Sequence, residues 1–148
     1  MSKKLLLPFL WLCALNVGAQ TLNCRVLSTI NAPDLGETQC LFFDRQGMMW
    51  VGSSAGLRSY DGYDFRSYQS DGYTKCLFPS NNILAITEDK HDRLWIGTRN
   101  GLVRMDRRTG QFKTYHLPGS RQRVVYTLFT ARDGNVWIGT DGGLSRYE

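Results

Sequence analysis

Proline and histidine are scarce in this chain, with 4 Pro and 2 His among 148 residues. So little proline excludes a polyproline tether, and the 15 Gly follow no three-residue period, which excludes a collagen. The two histidines, His91 and His116, have no second His or Cys at ligand spacing, so no metal site is expected. Charge of one sign is also lacking: 18 Lys+Arg stand against 13 Asp+Glu, a formal net charge of +5. No apolar run reaches the roughly 18 residues a membrane-spanning helix needs. The 4 cysteines contain no CxxC pair, which excludes a stapled disulfide framework. What remains is the composition of a folded domain, 42% hydrophobic and 12% aromatic.

The amino terminus has the three-part order of an export signal. Lys3 and Lys4 precede the apolar stretch Leu5–Leu15, and Val17-Gly18-Ala19 supplies the small residues of a cleavage site. Residues 1–19 are therefore expected to be a signal peptide cut between Ala19 and Gln20. Leu12 before Cys13 and Asn23 before Cys24 do not fit a lipoprotein signal. Export makes nucleic acid an unexpected partner and leaves no membrane span in the mature chain. Cys24, Cys40 and Cys76 remain, enough for one disulfide and a free thiol.

The informative feature is a repeat centred on Trp50, Trp95 and Trp137. Each tryptophan is flanked by apolar residues: Met49 and Val51, Leu94 and Ile96, Val136 and Ile138. Gly52, Gly97 and Gly139 follow two positions later, and then a hydroxyl residue, Ser53, Thr98 or Thr140. Gly56-Leu57, Gly101-Leu102 and Gly143-Leu144 come next in each copy. Upstream, Leu41, Ile86 and Leu128 occupy matching places. The copies are 45 and 42 residues apart, the period of a four-stranded propeller blade.

The middle copy reads as four short strands, Ile83–Glu88, Leu94–Thr98, Leu102–Met105 and Phe112–Tyr115, separated by turn residues. Helices of 10–12 residues do not fit between these breaks, and the glycine columns would cost a helix about 1 kcal/mol each. The fold class is therefore all-β, with blades of four antiparallel strands. Leu94-Trp95-Ile96 is apolar without alternation, as for a strand covered on both faces. The tryptophans should fill the space between blades, and Gly56, Gly101 and Gly143 should turn hairpins with positive φ. Gly47, Asp92 and Gly134 share a column. Asp tolerates a left-handed conformation, so the column is read as a turn. All these columns are read as fold, not chemistry.

The run Leu94-Trp95-Ile96-Gly97-Thr98-Arg99-Asn100-Gly101-Leu102, with Ile86-Thr87-Glu88-Asp89 before it and Phe112-Lys113-Thr114-Tyr115 after it, resembles the two-component regulator propeller repeat. Trp50-Val51-Gly52 through Tyr63-Asp64-Phe65 resembles the opening repeat of the same family. The sequence departs from the pattern at Asp92, Ala131 and Ser53, where Gly, Asp and Thr are usual. The resemblance implies the periplasmic sensor of a hybrid two-component histidine kinase, with an oligosaccharide as ligand. It also implies that Cys24–Ile30 is an outer strand able to close the ring. The layout is then a signal at 1–19, an N-terminal segment at 20–38, and repeats at 39–78, 79–120 and 121–148, the third lacking its last strand.

Two constellations imitate an active site. Gly52-Ser53-Ser54-Ala55-Gly56 satisfies the G-x-S-x-G of a hydrolase nucleophile elbow, with Asp61 and His91 following in order. The other copies place Gly97-Thr98-Arg99-Asn100-Gly101 and Gly139-Thr140-Asp141-Gly142-Gly143 in the same columns, so the serine reads as a variant of a repeated hairpin. Asp61-Gly62-Tyr63-Asp64 and Asp89-Lys90-His91-Asp92 lack the ligand pattern of a calcium loop. No catalytic residue, metal or cofactor is expected. The ligand-binding candidates are Arg99, Asn100 and Asp141, which vary between copies where the core columns do not.

The expected function is an exported ligand-sensing propeller piece without catalysis of its own. Its partners would be an oligosaccharide and either the remaining blades of a parent sensor or further copies of itself. The alternatives are an extracellular propeller enzyme (a polysaccharide lyase or hydrolase) and a self-associating scaffold. Propellers close with about 4–8 blades, and three are in this sequence.

Overall fold

Residues 35–69, 78–117 and 124–148 are described in the computed structural model, and their regular structure is entirely strand. The signal peptide, the Ala19–Gln20 cut, Cys24, Cys76 and the strand expected at Cys24–Ile30 lie outside the described residues.

The first sheet comprises β1 (Thr38–Phe43), β2 (Met49–Ser53), β3 (Gly56–Tyr60) and β4 (Phe65–Tyr68). The second comprises β5 (Ile83–Glu88), β6 (Arg93–Thr98), β7 (Gly101–Asp106) and β8 (Gln111–Tyr115). The third holds β9 (Val125–Thr130), β10 (Val136–Thr140) and β11 (Gly143–Tyr147). Each sheet is an antiparallel meander in chain order, so the three are blades of a β-propeller. The innermost strand of blade 2, β5, lies between β1 and β9. Strands β6, β7 and β8 each begin one residue before the sequence reading placed them. Arg93 pairs with Asp106, Thr98 with Gly101, and Asp106 with Gln111. Ladder pairing needs only backbone groups, so these residues extend the strands whatever their side chains.

Hairpin geometry repeats closely. The hydroxyls of Ser53, Thr98 and Thr140 donate to the carbonyls of Gly56, Gly101 and Gly143 at 3.0, 2.9 and 2.9 Å. Each hydroxyl also accepts an amide from within the turn: Ala55 at 3.2, Asn100 at 3.1 and Gly142 at 3.2 Å. The three closing glycines have φ of 122°, 124° and 122°, a region that favours glycine. Asp92 adopts φ 57° in the column where Gly47 and Gly134 have φ 84° and 89°, as the sequence reading expects.

The sheets pack through opposite faces of successive repeats. Trp50 and Leu57 of blade 1 join Ile86, Leu94, Ile96 and Met105 of blade 2 in one core cluster. Trp95 and Leu102 of blade 2 join Val125, Val136 and Ile138 of blade 3 in the next. The tryptophan and the leucine after the hairpin glycine thus face forward, and the residues on either side of the tryptophan face backward. This explains the unbroken apolar triplet: both faces of β6 are covered, and Leu94, Trp95 and Ile96 are fully buried. Burying one indole contributes about 4–6 kcal/mol at most.

Close approach requires the glycine after each tryptophan. A Cβ on Gly52 would stand 2.7 Å from Ile83 Cγ2, and one on Gly97 2.7 Å from Val125 Cγ1. Both contacts are with the innermost strand of the following blade. Blade 3 has no such follower among the described residues, and its forward face differs accordingly. Leu144 is 69% exposed and Phe129 64%, whereas Leu57 and Leu102 are buried. Trp137 is only partly buried, unlike Trp50 and Trp95. Leu41 and Phe43 are likewise exposed on the back of blade 1.

Candidate functional site

Antiparallel meandering puts successive turns at alternate ends of each blade, which creates two rims. One rim carries the hairpin tips Ser54-Ala55, Arg99-Asn100 and Asp141-Gly142, between the second and third strands. Every tip is tied by the same backbone bond to the segment just before its innermost strand. Ser54 N–H donates to Glu37 O at 2.9 Å, Arg99 N–H to Asn82 O at 3.0 Å, and Asp141 N–H to Val124 O at 3.2 Å. The tips are therefore held alike while their side chains differ. Arg99 and Asp141 are exposed, whereas Asn100 is half-buried and donates from Nδ2 to Pro79 O at 3.3 Å. Asn100 thus secures the chain entering blade 2 as well as lying on the rim.

The opposite rim is held by aspartates. Asp44 Oδ1 accepts the amides of Gln46 and Met48 at 2.9 and 3.0 Å, and Oδ2 accepts Trp50 Nε1–H at 2.8 Å. Asp89 repeats this on the amides of His91 and Arg93, and on Trp95 Nε1–H at 2.8 Å. Burial alone would raise the Asp89 carboxyl, but the bonds from Trp95, the His91 amide and Arg93 outweigh it and hold the group below its ordinary value. Ala131 occupies this column in blade 3, so Trp137 has no such carboxylate there. The Arg146 guanidinium lies 5.8 Å over the Trp137 ring, as Arg104 lies 5.9 Å over Trp95.

An ion cluster on this rim joins blades 1 and 2. Arg107 Nη1 donates both to Asp44 Oδ2 and to Glu88 Oε1, the latter at 3.0 Å, and all three side chains are at least nine-tenths buried. Glu88 Oε2 accepts the Arg45 amide at 2.9 Å, and Arg45 Nη2 donates to Asp89 O at 2.7 Å. Beside this cluster opens a cleft of about 430 Å³ lined by Met48, Trp50, Tyr68, Met105 and Arg108. Sequence reasoning missed the cluster. The Asp44 and Asp89 column was visible in the repeat, but Arg107 matches Gly62 in blade 1 and reads as a solvated rim arginine.

The hydrolase-like trio is dispersed. Ser54 lies on the hairpin-tip rim, where its Oγ accepts the Glu37 amide at 3.0 Å. Asp61 and His91 sit in turns on the other rim, a strand length of roughly 17–20 Å away. Asp61 accepts the Tyr63 and Asp64 amides, both at 2.8 Å, and the Asp64 and Tyr63 bonds lower its pKa. Cys40 is a free thiol whose pKa burial raises to about 11. Among the described residues, no three His, Cys, Asp or Glu side chains are grouped to hold a metal ion. No helix among them is long and apolar enough to cross a membrane.

Comparison with known proteins agrees with this architecture. The two component regulator propeller family matches residues 77–100 and 119–142. Among solved structures, the extracellular domain of a hybrid two component system from B. thetaiotaomicron is similar over 75% of this chain, with 22% identity and a TM-score of 0.64. Virginiamycin B lyase from Staphylococcus aureus, solved with quinupristin, is similar over 75% of the chain, with 16% identity and a TM-score of 0.56. A streptogramin B lyase is similar over 78%, with 19% identity and a TM-score of 0.56. The chain spans 15% of the length of the sensor domain and 41% of the length of each of these two lyase structures. No curated protein matches it. The two segments that match the two component regulator propeller family contain the two inner strands of blades 2 and 3.

Proposed function

We propose that this chain is the sensing propeller, or part of it, of an exported two-component signalling protein, and that it binds an oligosaccharide without transforming it. The observation that carries the reading is the hairpin-tip rim. Three tips are fixed by the same hydroxyl turn and the same backbone anchor, yet present Ser54-Ala55, Arg99-Asn100 and Asp141-Gly142. A constant scaffold under variable polar side chains is how a repeat protein builds a recognition surface. Arg99 supplies a planar array of donors and Asp141 a carboxylate acceptor, both suited to sugar hydroxyls. The two segments that match the two component regulator propeller family support the signalling role, and the export signal read at residues 1–19 supports a location outside the cytoplasm. The lyases share this fold at 16–19% identity. The dispersal of Ser54, Asp61 and His91 favours binding over catalysis.

Calorimetric titration of the secreted chain with a panel of neutral and acidic oligosaccharides tests the proposal. At least one should bind, and Arg99→Ala or Asp141→Ala should weaken it about tenfold. Absence of binding across the panel, binding indifferent to both substitutions, or turnover of a bound sugar would overturn the reading.

A further inference from the structure

The seam between blades 1 and 2 and the seam between blades 2 and 3 repeat one packing scheme but treat a cation differently. Arg45, Lys90 and Arg132 stand five residues before the three tryptophans, each in the turn after its innermost strand. At the first seam the cation is matched. Arg45 Nε lies 3.8 Å from Glu88 Oε2, and Arg45 Nη2 donates to Asp89 O at 2.7 Å. At the second seam Thr130 occupies the column of Glu88, so Lys90 has no carboxylate in the corresponding place. Thr87 likewise takes the column of Phe42. A ring and an acid at the first seam thus give way to two small hydroxyls at the second.

These cations and hydroxyls border one cavity of about 440 Å³, within the size range of small-ligand pockets. Thr87 Oγ1 and Thr130 Oγ1 share a hydrogen bond of 3.0 Å. One hydroxyl hydrogen serves that bond, which leaves the other for a further acceptor. Thr87 is buried and Thr130 half-buried, so that acceptor has to arrive through the cavity. Lys90 leans across the seam: a Cβ on Gly134 of blade 3 would stand 2.7 Å from its Cδ and 3.0 Å from its Nζ. Lys90 and Arg132 are exposed, and their side chains form no hydrogen bond or ion pair among the described residues. The nearby carboxylates are engaged elsewhere. Glu88 is held by Arg107 Nη1 at 3.0 Å and the Arg45 amide at 2.9 Å, Asp89 by Arg93 Nε at 2.7 Å, and Asp133 by the Asn135 amide at 3.0 Å. A cavity edged by two such cations concentrates anions.

We propose that the inner end of the seam between blades 2 and 3 binds an oxyanion, the carboxylate, sulfate or phosphate group of a small ligand, in the place that Glu88 fills at the first seam. Lys90 and Arg132 supply charge-assisted donors from the two blades, and the threonine pair supplies a third donor between them. Every one of these groups belongs to blades 2 and 3. The site lies at the opposite end of the blades from the hairpin tips, so it stands or falls independently of oligosaccharide binding there.

Magnetic resonance titration of the chain with sodium sulfate, sodium phosphate or sodium glucuronate, each at ionic strength held constant with sodium chloride, tests the site. Saturable amide shifts should centre on residues 87–90 and 130–134, and neutral glucose should cause none there. Lys90→Gln and Arg132→Gln should each weaken binding about tenfold, and both positions are exposed, so the blades should keep their strand circular dichroism. Arg108→Gln, at another exposed cation of the same rim but outside this cavity, should leave binding unchanged. Thr130→Glu supplies the carboxylate of the first seam and should abolish binding. Glucuronate binding more tightly than the inorganic ions assigns the group to a larger acid, and the reverse order assigns it to a free ion. Shifts that follow ionic strength alone, ignore both glutamine substitutions, or fall only on the hairpin tips would overturn the inference.

Discussion

Trp95 Nε1–H donates to Asp89 Oδ2 at 2.8 Å across a turn of six residues, and Trp50 bonds Asp44 in the same way at the same distance. The indole that wedges two blades together is thus oriented by the turn that starts its own strand. Packing between blades and geometry within a blade are coupled through one carboxylate. Asp89→Ala leaves the Trp95 N–H and two turn amides without that acceptor and should destabilise the chain by about 3 kcal/mol, read as a lower urea midpoint.

The pH dependence of that bond has a definite sign. The Asp89 carboxyl is held below its ordinary value in the fold by the Trp95, His91 and Arg93 bonds that outweigh burial, so its contribution is complete above the unfolded-state value and is lost as pH falls through the folded one. The stability difference between the parent chain and Asp89→Asn should be flat from pH 7 to about 4 and shrink below that. Urea titrations at several pH values measure it, and a gap that widens in acid contradicts the assignment.

Ala131→Asp should act in the opposite direction. The blade 3 turn already has the backbone bonds of the other two, Ala131 N–H to Asn135 O at 2.9 Å and Gly134 N–H to Ala131 O at 3.0 Å. A carboxylate there can reach the Trp137 indole as Asp89 reaches Trp95. Because Trp137 is only partly buried, the gain should be about 0.5–1 kcal/mol by thermal melting.

Arg107→Met keeps most of the side-chain volume but leaves Asp44 and Glu88 buried without their cation. Breaking a buried ion cluster in this way costs about 3–5 kcal/mol, and the loss should fall on the seam between blades 1 and 2. Hydrogen exchange should show β1 and β5 opening earlier, with β9 to β11 unchanged.

Gly97→Ala places a methyl 2.7 Å from Val125 Cγ1 and 3.0 Å from Val125 O. The valine methyl can shift but the carbonyl belongs to β9, so the blades must separate. A cost of about 1–3 kcal/mol is expected by chemical denaturation.

The sequence made the architecture legible because the repeat samples one physical problem three times. A column that holds glycine twice and aspartate once, as Gly47, Asp92 and Gly134 do, can only be a left-handed turn, and all three have positive φ. The columns of Trp50 and Leu57 identified a core but not its direction, since one strand reads the same whichever blade it faces. That direction explains why Trp137 and Leu144 differ from their counterparts. Glu88 and Arg107 stayed hidden for another reason: neither repeats in the other copies, and they meet Asp44 only when two sheets dock. The hairpin-tip candidates were legible as variation, but their common anchoring to Glu37, Asn82 and Val124 was not, because backbone bonds carry no side-chain signature.

The glycine column also bears on how the chain is made. Since Gly52 receives the strand of blade 2 and Gly97 that of blade 3, each sheet is finished by the one synthesised after it. Assembly can therefore run in the direction of translation, every new meander settling against a template already in place. A defect at Gly97 would stall that process at its second joint, leaving a nascent product with one docked pair and a dangling third sheet, the kind of species chaperones retain and proteases clip.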